Sequence, residues 1–348
     1  MRIAIHHQER SYSARWIEYC KEHQLDYQLV NCFDSGIVEE LRSFDALLWH
    51  WRHYDPPSVL MARSVIAAAS VMGIAVYPDI NTCWHYDDKI AQKYLLEAIE
   101  APLVPTYVFY DLADALRWIE KAEFPKVFKL RKGAGSANVM LIKNRREAQR
   151  LAKRAFKGGF PPVRKSLSDA KHQLQRTYNS TGPLATLRKI FAGVRRVRRL
   201  NSFLGREIGY FYAQDFIPGN TYDTRIVVIG EKAFGFVRYV RENDFRASGG
   251  GAVDHSLHMI DLECVRVAFD VTRRTKAQSL AFDFLKGPGG AVQISEISYC
   301  FPAYTNSVYN CPGYWDERLN WHEGHVNPED AILIDLIEEV GAKQSFRR

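Results

Sequence analysis

The stretch FPKVFKLRKGAGSANVMLI, residues 124 to 142, constrains this chain more than any other. An apolar strand carrying one lysine, Lys129, runs into a loop of Gly133, Ala134, Gly135 and Ser136, and an apolar strand resumes behind it. A lysine beside a glycine loop suggests phosphate, because glycines permit close backbone approach and lysine supplies a compact point charge. The Walker arrangement is excluded. G-x-x-x-x-G-K-[ST] places its lysine after the glycines and opens a helix, whereas here the lysine comes first and a strand follows.

Around this stretch the chain divides into three blocks. Residues 1 to 84 alternate short apolar strands with amphipathic helices, a βαβ rhythm that predicts a small parallel sheet with helices on its faces. Ligands gather at the carboxyl ends of such strands, where the sequence puts His6, His7, Arg10, His50, Arg52 and His53. Polar loop residues after buried strands would read the same way. From 85 onward the pattern predicts helix 85–99, a proline-bounded strand within 101–111, helix 111–122, the strand-loop-strand, and helix 144–155. Beyond residue 206, EIGYFYAQDFI, DTRIVVIG, KAFGFVRYV, SLAFDFLK and AVQISEISY read as strands, with helices at 261–279 and 329–340.

Two of these strands form a hairpin around Gly287, Pro288, Gly289 and Gly290. Alternation in a register centred on the glycines puts Asp283, Ile294, Glu296 and Ser298 on one face. Asp283 lies between two phenylalanines, and Glu296 is bracketed by Ile294 and Ile297. Two carboxylates in such strands cost several kcal/mol each to bury unless a cation neutralises them. Hard oxygen donors suit Mg²⁺, which takes one or two carboxylates and completes its shell with water and phosphate. The alternative is a salt bridge with Arg225 or Arg238.

Lys89, Lys129, the glycine loop and the carboxylate hairpin, in this order, resemble the ATP-grasp superfamily. Within it the nearest likeness is to the branch of glutathione synthetase and the ribosomal-protein glutamate ligases. The resemblance spans residues 85 to 300 and implies an ATP-grasp fold of two α+β subdomains clasping ATP, with a small parallel-sheet α/β domain before it. The expected division is a Rossmann-like domain over 1–84 and an ATP-grasp domain over 85–345, interrupted by a basic insertion at 156–206. Lys89 in DDK and Lys129 in VFKL match the two lysines that hold the nucleotide phosphates. Gly133, Gly135 and Ser136 match the loop that closes over them through backbone N–H groups. AQDFIPG resembles the hinge whose backbone reads adenine, which places Gln214, Asp215, Phe216 and Ile217 against the base. In YDTRIVVIG, Asp223 corresponds to a position near the ribose and Arg225 to one near phosphate or the acyl group. FVRYVRENDFRASGGG resembles the segment that brings Arg238 and Arg246 toward a developing acyl phosphate. Two positions depart from the family: its metal motif ends E-x-N where this chain has Ser298, and its arginine motif continues to an asparagine where this chain has Ser248. One Mg²⁺, held by Asp283 and Glu296 with Ser298 beside them, is therefore the expectation.

The resemblance implies an ADP-forming carbon–nitrogen ligase that uses ATP and Mg²⁺. A substrate carboxylate would be activated as an acyl phosphate and captured by an amine, by positioning and electrostatics rather than by a nucleophilic side chain. A sugar or peptide of the cell envelope is the expected substrate class. A kinase for a small hydroxyl substrate and a non-catalytic nucleotide-gated module are the alternatives.

The formal charge of +7 is unevenly spread. Residues 156 to 206 hold 12 Lys and Arg against the single acid Asp169, so the rest of the chain is net negative. A whole-protein nucleic-acid binder is therefore not indicated, and the aromatics of the segment show no stacking pattern. Within it, Leu184, Leu187, Ile190, Phe191, Val194, Val197 and Leu200 recur at helical spacing among arginines. Such a basic amphipathic helix suits an anionic membrane surface or an acidic polymer, or docks on the protein itself. The six cysteines lack C-x-x-C pairing, which fits reduced thiols. No apolar run reaches the ~18 residues of a membrane span, so a cytoplasmic protein, peripheral on the inner membrane face, is expected. A homo-oligomer is the expected state. His322 and His325 lack the zinc-binding H-E-x-x-H spacing. Tyr299, Tyr304, Tyr309, Trp315 and Trp321 would line a sugar-stacking wall or close the core under the last helix.

Overall fold

The computed structural model of the protein describes residues 1–53, 55–133, 138–161, 195, 202–203, 205–241, 252–303 and 307–346. They gather into two compact units, one of Met1–Tyr86, Tyr94–Leu103 and Gly219–Arg348, the other of Asp87–Lys93 and Val104–Pro218.

The first unit opens with β1 (Arg2–His6), α1 (Ser13–Glu22), β2 (Asp26–Val30), α2 (Ile37–Leu41), β3 (Ala46–Leu48), α3 (Pro56–Val71), β4 (Ala75–Tyr77) and α4 (Ile80–Cys83). Its strands pair in parallel in the order β2-β1-β3-β4. The apolar runs predict this: Ala4, Leu47 and Val76 enter one core and Ile3, Ile5 and Leu48 another, as a parallel sheet covered on both faces requires.

Helix α5 (Lys89–Ala98) starts four residues later than its apolar spacing predicts. Asp87 takes a left-handed φ of 54° and ends the preceding turn, and the Lys89 N–H leaves the helix to bond the Arg131 carbonyl at 3.0 Å. The second unit then adds β5 (Thr106–Phe109), α6 (Leu112–Lys121), β6 (Lys126–Lys129), β7 (Val139–Ile142), α7 (Arg145–Lys157) and β8 (Phe211–Asp215). Its antiparallel sheet runs β5-β8-β6-β7. Asp111 and Asn144 cap the two helices by accepting backbone N–H groups of the first turn. Ile119, Ala148 and Ala152 bury against Phe128 and Phe211, and each large side chain so buried contributes about 1.5–3 kcal/mol.

The ends of the basic segment meet at a bridge. Phe160 and Glu207 exchange both backbone hydrogen bonds at 2.8 Å. Gly159 beside it has φ 60°, and a Cβ there would lie 2.5 Å from the Glu207 carbonyl oxygen, so only glycine fits. Because the excursion leaves and returns at one point, replacing residues 162–204 by a short Gly-Ser turn is expected to preserve the wild-type unfolding midpoint. A lost or broadened transition would show that the excursion belongs to the core.

The first unit resumes with β9 (Tyr222–Ile229), β10 (Lys232–Tyr239), β11 (Val253–Asp254), α8 (Leu262–Thr275), β12 (Ser279–Lys286), β13 (Val292–Ser298), β14 (Gly313–Trp315), β15 (Trp321–Glu323) and α9 (Pro328–Phe346). Their sheet runs β13-β12-β9-β10-β14-β15, with β11 on β10. One face buries Ile226, Val228, Phe282 and Ile297 with Val265 and Ala268 of α8. The other buries Val227, Ile229, Phe234 and Phe236 with Ile332, Leu333 and Leu336 of α9. The aromatic tail supplies β14 and β15, with Trp315 opposite Trp321 in register. Buried Tyr299 and Trp315 close the core, Tyr309 is exposed, and Tyr304 lies outside the described residues.

The β12–β13 hairpin departs from simple alternation in one respect. Asp283 pairs with Glu296 and Ala281 with Ser298, but the register slips so that Phe284 pairs with Ile294. Ser295 is the extra residue, its hydroxyl donating to the Asp283 carbonyl at 3.1 Å. The bulge turns Ile294 to the face of Phe284 and Ile297, in the core, so Ile294 does not share the face of Asp283, Glu296 and Ser298 as strict alternation implies.

All six cysteines are free thiols. Among the described residues no helix is long and apolar enough to cross a membrane.

Burial raises the Glu329 carboxyl on α9 to about 7. A folded pKa above the unfolded one means stability fully present below about pH 4.5 and lost as pH rises through 7, by an amount on the order of 3 kcal/mol. Burial of His6, His50 and His85 lowers their pKa values and acts oppositely with pH, so the informative quantity is a difference. Glu329→Gln is expected to match wild type in urea unfolding at pH 5 and to exceed it at pH 8. Equal stabilities at pH 8 would refute the assignment.

Candidate functional site

The candidate residues fall into two groups, one in each unit. In the second, the end of β6 presents Lys129, 8% exposed, paired in register with Val139 across the glycine loop. Lys89, 4% exposed at the start of α5, donates from Nζ to the Gly133 carbonyl at 2.6 Å. Gly133, at φ 112°, donates its N–H to the Asp87 carboxylate at 2.8 Å. Lys89, Lys129 and Gly133 are thus brought to one loop stem. Gly135 and Ser136 lie outside the described residues.

The predicted hinge occupies the end of β8 in the same sheet. Gln214 is buried, and its amide donates to the Thr106 hydroxyl at 3.0 Å. Asp215 is paired with Lys126 at 2.6 Å. Phe216 and Ile217 follow, half-buried.

In the first unit, one face of the large sheet is apolar at one end and ionic at the other. Arg225 on β9 pairs in register with Asp283 on β12, which pairs with Glu296 on β13; Asp223 on β9 pairs with Arg238 on β10. The Asp283 carboxylate, 5% exposed, accepts from Arg225 Nε and Nη2 at 2.7 and 2.9 Å. Arg238 reaches the same carboxylate at 2.9 Å and also binds Asp223, 1% exposed, through Nε at 2.9 Å. The salt-bridge alternative therefore describes how Asp283 is neutralised here.

Burial drives the Asp223 carboxyl up and Arg238 only partly offsets it. Burial acts on Asp283 as well, but Arg225 and Arg238 outweigh it and hold that carboxyl below its ordinary value. Neighbouring acids are thereby pushed apart, a pattern common at functional sites.

Glu296 is half-buried on the same face. Ser298 donates its hydroxyl to the Cys300 carbonyl at 3.0 Å and accepts the Cys300 N–H at 3.2 Å, leaving one lone pair for a cation or water. Among the described residues no group of three or more His, Cys, Asp or Glu side chains is arranged to hold a metal ion. Arg246 and Ser248 lie outside the described residues.

Sequence reasoning missed Asp87, Arg131, Glu207 and Tyr210, which hold the glycine-loop stem. Nothing in their spacing signals the role, because the contacts join residues up to 79 positions apart.

No family model and no curated protein sequence matches the chain. Solved structures do. Biotin carboxylase from Campylobacter jejuni, in complex with β-γ-ATP, superposes with a TM-score of 0.58 at 12% identity, over 96% of this chain and 70% of that one. D-cycloserine synthetase gives 0.55 at 13% identity, over 97% and 100%. D-alanine–D-alanine ligase from Bacillus anthracis, complexed with ATP, gives 0.54 at 11% identity, over 99% and 97%. The chain thus has the ATP-grasp fold that these structures share. At these identities the likeness establishes the fold and nothing finer.

Proposed function

We propose that the protein is an ATP-dependent carboxylate–amine ligase that forms an amide through an acyl phosphate and releases ADP and phosphate. The observation that carries this reading is the row of Glu296, Asp283 and Arg225, flanked by Arg238 and Asp223, on a sheet of an ATP-grasp fold. Two guanidinium groups clamped by carboxylates are cations oriented before the substrate arrives, which is what stabilising charge in transfer requires. Similar structures solved with ATP or with Mg-ADP accord with the same co-substrate here.

Mg²⁺ fits the donor set. Asp283 and Glu296 are hard oxygen ligands facing each other across adjacent strands, the donor type that Mg²⁺ prefers. Asp283 and Glu296 would hold the ion, with Ser298 an auxiliary ligand beside them. The ion would supply charge neutralisation at the phosphates.

The remaining work falls to the chain. Lys89 and Lys129 would hold the nucleotide phosphates, the glycine loop with Gly135 and Ser136 would supply backbone donors, and Gln214 to Ile217 would seat the base, with Asp223 toward the ribose. A substrate carboxylate oxygen bonds the γ-phosphorus as the bond to ADP breaks, with Arg225, Arg238 and Arg246 countering the charge. An amine then bonds the acyl carbon, phosphate leaves, and the amine's proton passes to solvent. The nearer likeness to the glutathione synthetase branch and the envelope substrate class rest on the sequence, and a homo-oligomeric state is proposed with them.

Inorganic phosphate release from Mg-ATP, assayed against paired panels of carboxylates and amines, tests the reading. Release requiring both partners supports a ligase. ADP with a phosphorylated alcohol and no free phosphate would establish the kinase instead. The stretch 184–200, of which only Arg195 is described, is proposed as the contact to an anionic membrane. Sedimentation of the 162–204 replacement with anionic vesicles as fully as wild type would remove that role.

A further inference from the structure

The stem of the glycine loop is gripped from a direction that the two lysines do not explain. The Tyr210 hydroxyl accepts the Arg131 N–H at 2.7 Å and donates to Glu207 Oε2 at 2.8 Å. Glu207 is 5% exposed and sits 3.7 Å from Arg131 Nε, a buried nitrogen without a hydrogen-bond partner. Burial, with Glu207 beside it, pushes the Tyr210 hydroxyl far above its ordinary pKa, so it stays protonated and can donate while it accepts.

On its other side the Arg131 peptide is held by Lys89, whose N–H bonds the Arg131 carbonyl at 3.0 Å. Two residues on, Gly133 is held through its N–H by Asp87 and through its carbonyl by the Lys89 ammonium. Asn138 closes the far side, its amide donating to the Lys132 carbonyl at 3.2 Å. Residues 131 to 133 are therefore fixed relative to Lys89 by a short chain of hydrogen bonds whose origin is Tyr210. That residue stands one position before β8, and the end of β8 carries Gln214 and Asp215.

We propose that Tyr210, oriented by Glu207, is a positioning residue that ties the phosphate-binding stem and Lys89 to the strand that seats the base. The inference rests on the nucleotide reading given above. Tyr210 touches no nucleotide in this scheme. Losing its hydroxyl orphans the Arg131 N–H and loosens Arg131, whose carbonyl, in the next peptide group, holds Lys89, so the loss falls on the phosphates rather than on the base.

The test is equilibrium binding of Mg-ATP and of adenosine to wild type, Tyr210→Phe and Glu207→Gln, with the unfolding midpoint of each. Tyr210→Phe is expected to weaken Mg-ATP about tenfold, one hydrogen bond's worth, and to leave adenosine binding unchanged. Glu207→Gln keeps an acceptor for the hydroxyl and is expected to stay near wild type. Unchanged Mg-ATP affinity in Tyr210→Phe, or equal weakening of ATP and adenosine, overturns the proposal while leaving the nucleotide reading intact. Wild type that fails to bind Mg-ATP overturns both. Should Tyr210→Phe fold poorly, Glu207→Leu, which removes the acceptor that orients the hydroxyl, is expected to show the same selective loss.

Discussion

Lys129→Ala and Glu296→Ala are each expected to abolish ATP turnover in a protein that remains folded. Lys129 stands at the end of a strand, buried beside the glycine loop. Its removal deletes a charge without breaking a ladder, since the backbone pairing to Val139 stays. Losing one preorganised charged partner of a transferring group costs about 10²–10³ in rate, roughly 2.7–4 kcal/mol. Loss of Glu296 leaves Asp283, already shared by two arginines, as the remaining carboxylate of the pair. Turnover is read with the substrate pair identified by phosphate release, and the fold by circular dichroism. Undiminished turnover in either purified variant would mean that the site lies elsewhere.

Asp283→Ala is expected to cost stability as well as activity. The carboxylate is the shared anion of Arg225 and Arg238, whose side chains are themselves only 15% and 14% exposed. Removing one partner of a buried pair leaves an uncompensated charge and typically costs 3–5 kcal/mol. The measurement is the change in unfolding free energy from denaturant titration. A double variant, Asp283→Leu with Arg225→Met, should recover part of that stability without recovering turnover, because apolar residues of similar volume can replace a buried ion pair. A loss within the ~0.5 kcal/mol typical of surface substitutions would show that the row is solvated in solution.

Much of the fold was legible because its signals are local. The βαβ rhythm of the first block follows from apolar runs and their spacing, and β6, β7, β9, β10, β12 and β13 lie where alternation and glycine turns predict them. The row of Asp223, Arg225, Arg238, Asp283 and Glu296 could be named, though not its pairing. Burial of acids in apolar strands shows that a cation must be present, and says nothing of which one.

What the sequence by itself determined is which residues lie on which strands and in what order, because propensity, periodicity and turn chemistry act over a few positions. What only the tertiary structure decided involves partners far apart in the chain. The bulge at Ser295 sends Ile294 to the core because Asp283 and Phe284 on the neighbouring strand set the register. Helix α5 begins at Lys89 because a carbonyl 42 positions away takes its N–H. Asp283 is neutralised by Arg225 and Arg238 because β9, β10 and β12 align them on one face. Tyr210 meets Arg131 because antiparallel pairing folds β8 back along β6. Such contacts depend on how strands align in space, which no local pattern encodes.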